Sequence, residues 1–118
     1  MRIELDNTTS APAAARDALE SWIGTHDSAA PLLDDALLVV SELVTNAVIH
    51  TSSDSVVTAA FDDCRLRIEV HDHNPHGPFA EAGATVDHLG LRVLAAHCDL
   101  WGWEPTAFGK FVWTETLC

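Results

Sequence analysis

Glu42, Asn46 and His50 recur at every fourth residue of a stretch that is otherwise almost wholly apolar. At helical pitch this spacing sets a carboxylate, an amide and an imidazole along one narrow strip. A carboxylate one turn before an amide can accept a proton from an attacking hydroxyl. The amide oxygen suits magnesium, which keeps several waters and takes few protein ligands. The plainer reading is a polar stripe packed against other side chains. A second concentration of chemistry is HDHNPHGP, residues 71–78, with three histidines, one aspartate and one asparagine. His71, His73 and His76 suggest a metal site, although zinc wants four ligands and a supporting shell.

Which of these groups face inward follows from the elements that carry them. In RLRIEVHD, residues 65–72, Leu66, Ile68 and Val70 alternate with Arg65, Arg67 and Glu69. Continuing the period of two puts Asp72 with the inward set and His71 and His73 with the outward one. A buried carboxylate costs several kcal/mol unless it is bonded or paired. No lysine or arginine lies between Arg67 and Arg92 to pair with it locally. Asp72 is therefore expected either to cap nearby backbone amides or to await a ligand with N–H donors.

The remaining elements are read in the same way. Residues 2–6 read as a short strand, and APAAARDALESWIGTH as a helix beginning near Ser10, with Pro12 in its first turn. Ala15, Leu19, Trp22 and Ile23 share one face of it. The chemistry-bearing helix spans about Ala30 to Thr51, with Asp27 or Ser28 as its cap and Pro31 opening it. Leu33, Leu37, Val40, Val44, Ala47 and Val48 form its inward stripe. Leu38, Val39, Leu43 and Ile49 make the rest apolar, so burial nearly all round is expected. SVVTAAFDD and RLRIEVHD form an antiparallel hairpin turning at Asp62-Asp63-Cys64. A loop over 73–87, a short helix in HLGLRVLAAHC, and two further strands, DLWGWEP and GKFVWTETL, complete the chain. Helices followed by mostly antiparallel strands imply an α/β sandwich with helices on one sheet face.

Composition bounds the function. With 118 residues the chain is expected to be one domain over 1–118, and 47% apolar content excludes a disordered or fibrous chain. Eighteen acidic against six basic residues, a net charge of −12, argue against nucleic acid or an anionic membrane as partner. A basic protein surface suits that charge better. Cys64, Cys98 and Cys118 are an odd, scattered set, neither a disulfide framework nor a zinc spacing, so a soluble protein of a reducing compartment is expected. Neither a signal core nor a long apolar run is present.

Three segments together resemble the histidine-kinase-like (GHKL) ATPases. SELVTNAVIHT looks like their asparagine box, and VHDHNP like their first glycine box in the variant ending in proline, here Pro75. HLGLRVLAAHCDLWGWEPTAFGKFVWTETL looks like the remainder of the fold in the actinobacterial anti-sigma-factor serine/threonine kinases. The resemblance covers about Ser10 to Leu117. It implies a two-layer α/β sandwich of the Bergerat ATP-binding type, with a mostly antiparallel sheet and helices on one face. It further implies ATP and Mg2+ as cofactors. Asn46 matches the magnesium ligand, Glu42 the general base, and His50 a group near the phosphates. Asp72 matches the acceptor of the adenine amino group, while Gly90 and Leu91 match the second glycine box, whose amides meet phosphate. Lys110 falls where the last strand closes the adenine pocket.

This implied role is a cytoplasmic anti-sigma factor, one whose subgroup often forms homodimers. Its partners would be a sigma factor and a STAS-type anti-sigma-factor antagonist, the latter phosphorylated on serine. The chain departs from the family at His88-Leu89-Gly90-Leu91, where the first glycine and the arginine of the second box are missing. The lid from Phe79 to Leu89 carries no basic residue, so ATP and ADP are expected to bind alike. Two alternatives stand beside the kinase: a catalytically degenerate protein-binding module of the same fold, and a metal-binding protein using His71, His73 and His76.

Overall fold

In the computed structural model of the chain, which describes residues 1–51, 53–74 and 92–118, five strands form one antiparallel sheet backed by helices. The chain runs β1 (Arg2–Leu5), α1 (Ala11–Ile23), a 3₁₀ turn (Asp27–Leu32), α2 (Leu33–His50), β2 (Ser55–Asp62) and β3 (Arg65–Asp72). After a helical stretch over 92–97 come β4 (Leu100–Pro105) and β5 (Lys110–Leu117). The strand order is β1-β2-β3-β5-β4, so the last strand inserts between β3 and the edge strand. This is the two-layer α/β sandwich expected from the sequence.

The helix layer is held by stripes at helical spacing. Ala11, Ala15, Leu19 and Ile23 of α1 are buried, as are Ala36, Val39, Val40, Leu43, Val44 and Ala47 of α2. From the sheet, Val57, Leu66, Ile68, Val70 and Val112 complete the core. Each fully buried aliphatic side chain contributes about 1.5–3 kcal/mol.

Two expectations for α2 fail. The segment Asp27–Leu32, with Pro31 inside it, is a 3₁₀ turn, and α2 begins only at Leu33 without a side-chain cap. Neither Asp27 nor Ser28 caps it, because the turn already feeds backbone carbonyls into its start. Nor is α2 buried all round. Leu38 is 47% exposed and Ile49 65% exposed, since a single sheet can cover only one broad face of a helix.

The cysteines require a larger correction. Cys64 and Cys118 form a disulfide across a sequence separation of 54 residues. Their spacing gives no hint of it, because the bond depends on β5 returning beside β3. Arg65 is the register partner of Leu117, which brings the flanking residues together. Cys64 also sits in a two-residue hairpin turn in which both Asp63 and Cys64 have positive φ, 52° and 59°. That left-handed pair suits the twist of the flanking strands. Replacing both cysteines by serine is expected to cost about 2–4 kcal/mol, the usual worth of such a link. Urea unfolding of the oxidised protein and the double variant measures the difference.

Candidate functional site

The site lies where the end of β3, the start of β5 and the last turns of α2 meet. Alternation along β3 buries Leu66, Ile68, Val70 and then Asp72, whose side chain is 4% exposed. The inward direction expected for Asp72 is therefore observed. The cationic partner absent from its local sequence comes from a distant strand. Asp72 and Lys110 are register partners on adjacent strands, so both side chains leave the sheet on the same face. Lys110 Nζ donates to Asp72 Oδ1 at 3.0 Å and to Oδ2 at 2.9 Å. A partner 38 residues away is invisible to a search of the local sequence.

Asp72 also caps its own turn, one of the two roles expected of it. The backbone N–H of Asn74 donates to Oδ1 at 2.8 Å. Asn74 then ties the site together, because its Nδ2 donates to the His50 carbonyl at 2.8 Å and its carbonyl accepts from Lys110 Nζ at 3.3 Å. The His50 carbonyl is one of the orphan acceptors at the end of α2, so this bond both finishes the helix and fixes it to β3. Asn74 was not singled out by its sequence. The signal available was its position two residues after an aspartate, the spacing of an Asx turn.

Gly109 makes the close approach possible. A Cβ there would lie 2.0 Å from the carbonyl oxygen of Asp72 and 2.5 Å from the Cα of His73. Only glycine lets β5 begin so near the end of β3.

Leu43, Asn46, Ala47, His50, Val70, Asp72, Lys110 and Val112 line a cavity at this junction. It leaves about 10 Å³ for the centre of a water molecule, room for about one. Asn46 and His50 thus join Asp72 and Lys110, as the helical strip requires. Half-buried Glu42, one turn earlier, is not among the lining residues. The Asn46 amide nitrogen is buried without a hydrogen-bond partner. Burying an unpaired amide costs about 1–3 kcal/mol, so its presence calls for a ligand or a reason. Thr114 Oγ1 is likewise unpaired, but it lies in the core away from this cavity. Pro75, Gly90 and Leu91 lie outside the described residues.

The histidines behave as alternation predicts. His71 faces the open side of the sheet, stacked on Phe111 and 2.8 Å from Glu69. Burial alone would push the Glu69 carboxyl up, but its hydrogen bonds with Arg67 and His71 outweigh this and hold it below its ordinary value. His73 is exposed, and His76 lies outside the described residues. Among the described residues, no three histidine, cysteine or acidic side chains are grouped to hold a metal ion.

Residues 5–105 match the family described as the histidine kinase-like ATPase domain. The chain belongs to that family. Among solved structures, this ATPase domain is similar to the RsbU and RsbW domains of Rv1364c from Mycobacterium tuberculosis, at 25% identity and a TM-score of 0.75. The match covers 99% of this chain and 32% of the other, so the ATPase domain spans about a third of the length of that crystallised chain. No curated protein matches the chain. No helix among the described residues is long and apolar enough to cross a membrane.

Proposed function

We propose that this ATPase domain binds ATP with magnesium and works as a regulator of the anti-sigma-factor type. Its partners would be a sigma factor and a serine-bearing antagonist. The observation that carries the reading is the unpaired Asn46 amide, buried in a cavity that also holds a carboxylate at the end of a strand. Asn46 would hold the magnesium through its amide oxygen, the two ends of the amide being interchangeable by a half-turn. The metal would neutralise phosphate charge. Asp72 would accept from the adenine amino group, and His50 would stand beside the phosphates. Glu42 would take the proton from the attacking serine hydroxyl. The family membership and the likeness to a protein with an RsbW domain support this direction.

Calorimetric titration with ATP, with and without magnesium, is the direct test. Asn46→Ala is expected to abolish the magnesium-dependent part of the affinity. Because the amide nitrogen has no partner in the free protein, stability should fall by no more than about 1 kcal/mol. Glu42→Ala should leave ATP affinity largely unchanged and remove phosphate transfer to the antagonist. Unchanged magnesium dependence in Asn46→Ala would defeat the assignment. A second reading, a protein-binding module of the same fold without kinase activity, draws support from the ion pair on Asp72. Absence of ATP binding would favour it.

A further inference from the structure

The carboxylate expected to receive a base amino group already has an occupant. Lys110 Nζ stands nearly equidistant from the two oxygens of Asp72, at 3.0 and 2.9 Å, so it sits across the end of the carboxylate. Oδ1 also accepts the Asn74 N–H, which leaves only the outer lone pair of Oδ2. The ammonium is saturated in turn, its three acceptors being the two carboxylate oxygens and the Asn74 carbonyl. Both side chains are 4% exposed, so the pair is shielded from water and only weakly screened. The Lys110 side chain lines the same cavity, whose space is far too small for a purine ring.

From this geometry we infer that Lys110 is an internal competitor for the base subsite, and so sets both the affinity of the site and its demand for an amino group. The inference rests on the nucleotide reading above. A base that enters must move the Lys110 ammonium off Asp72 and offer the carboxylate a donor in exchange. A 6-amino group can do so. A base without one leaves the buried carboxylate unpaired, the situation that buried polar sites reject most strongly. Lys110 is thus a specificity-determining residue that acts through Asp72 and need not touch the base.

Removing the competitor should therefore tighten binding. In Lys110→Met the carboxylate of the free protein lacks its counter-charge, and an incoming amino group relieves it. ATP is expected to bind this variant about tenfold more tightly than the unmodified protein, by calorimetry, a gain of about 1.4 kcal/mol. Lys110→Gln keeps one neutral donor and should gain less, with the same sign, and it carries the test if the methionine variant does not fold. Purine riboside triphosphate, which lacks the 6-amino group, should gain less than twofold in either variant. Equal gains for the two nucleotides would mean that only room had been made, and would overturn the inference. So would unchanged or weaker ATP binding in the variants.

Lys110 is the only lysine of the chain, so ¹⁵N-lysine labelling of the unmodified protein reports on it alone. A single slowly exchanging ammonium signal is expected in the free protein and should be lost on saturation with ATP. Its persistence in the ATP complex would show that base and ammonium share the carboxylate, which also overturns the inference. If neither the unmodified protein nor any variant binds ATP, the nucleotide reading itself fails. If the unmodified protein binds and the variants gain nothing, only the competitor role fails.

Discussion

Asp72→Asn is expected to lower the stability of the fold by about 3–5 kcal/mol, the cost of leaving one partner of a buried ion pair alone. The substitution preserves shape, so the loss is electrostatic. Lys110 Nζ would keep the Asn74 carbonyl and one amide oxygen but have no counter-charge at 4% exposure. The turn suffers less, because an asparagine oxygen can still accept from the Asn74 N–H. Urea unfolding measures the difference. The double variant Asp72→Asn/Lys110→Met should recover much of it, since an apolar group in place of a buried ion is often tolerated. A single-variant loss below about 1 kcal/mol would show that water reaches the pair more freely than its burial implies.

Gly109→Ala is expected to be nearly as damaging, by a different route. The added methyl would lie 2.0 Å from the Asp72 carbonyl oxygen and 2.5 Å from the His73 Cα, and both are backbone atoms. No flexible side chain can swing aside, so β5 must draw away from β3 and take Lys110 with it. A loss of about 3 kcal/mol is expected, the upper part of the usual range for overpacking. Gly24→Ala is the control. Its Cβ would come to 3.3 Å from the Ser21 carbonyl oxygen, a tight contact but over 1 Å longer than at Gly109, so its effect should be clearly smaller. Thermal unfolding of the two variants side by side separates close approach from a general penalty for losing glycine.

Much of this arrangement was legible in the sequence, and the reason is periodicity. Strand alternation in RLRIEVHD placed Asp72 inward and His71 outward, and both directions hold. Helical spacing brought Asn46 and His50 to one cavity. What periodicity cannot report is which strands become neighbours. The Lys110 pairing, the approach at Gly109 and the Cys64–Cys118 bond all depend on β5 lying beside β3, a long-range choice. The sequence does not locate the start of α2, because Pro31 fits a 3₁₀ turn as readily as the first turn of a helix. The exposure of Leu38 and Ile49 is likewise hidden from the sequence, because apolar composition does not say how many layers surround a helix.

The β3–β5 ladder has unlike fastenings at its two ends. At one end, beyond the Arg65 and Leu117 partners, the strands are stitched covalently through Cys64 and Cys118. At the other, the Asp72 and Lys110 partners are joined by a hydrogen-bonded ion pair and no covalent bond. A zip sewn shut at its foot can part only from the top. If the ion pair opened, the strands would be freer to part at the cavity end than at the end joined by the disulfide. The oxidised cysteines would then act as a stop, confining any opening of the sheet to the end where a ligand would enter.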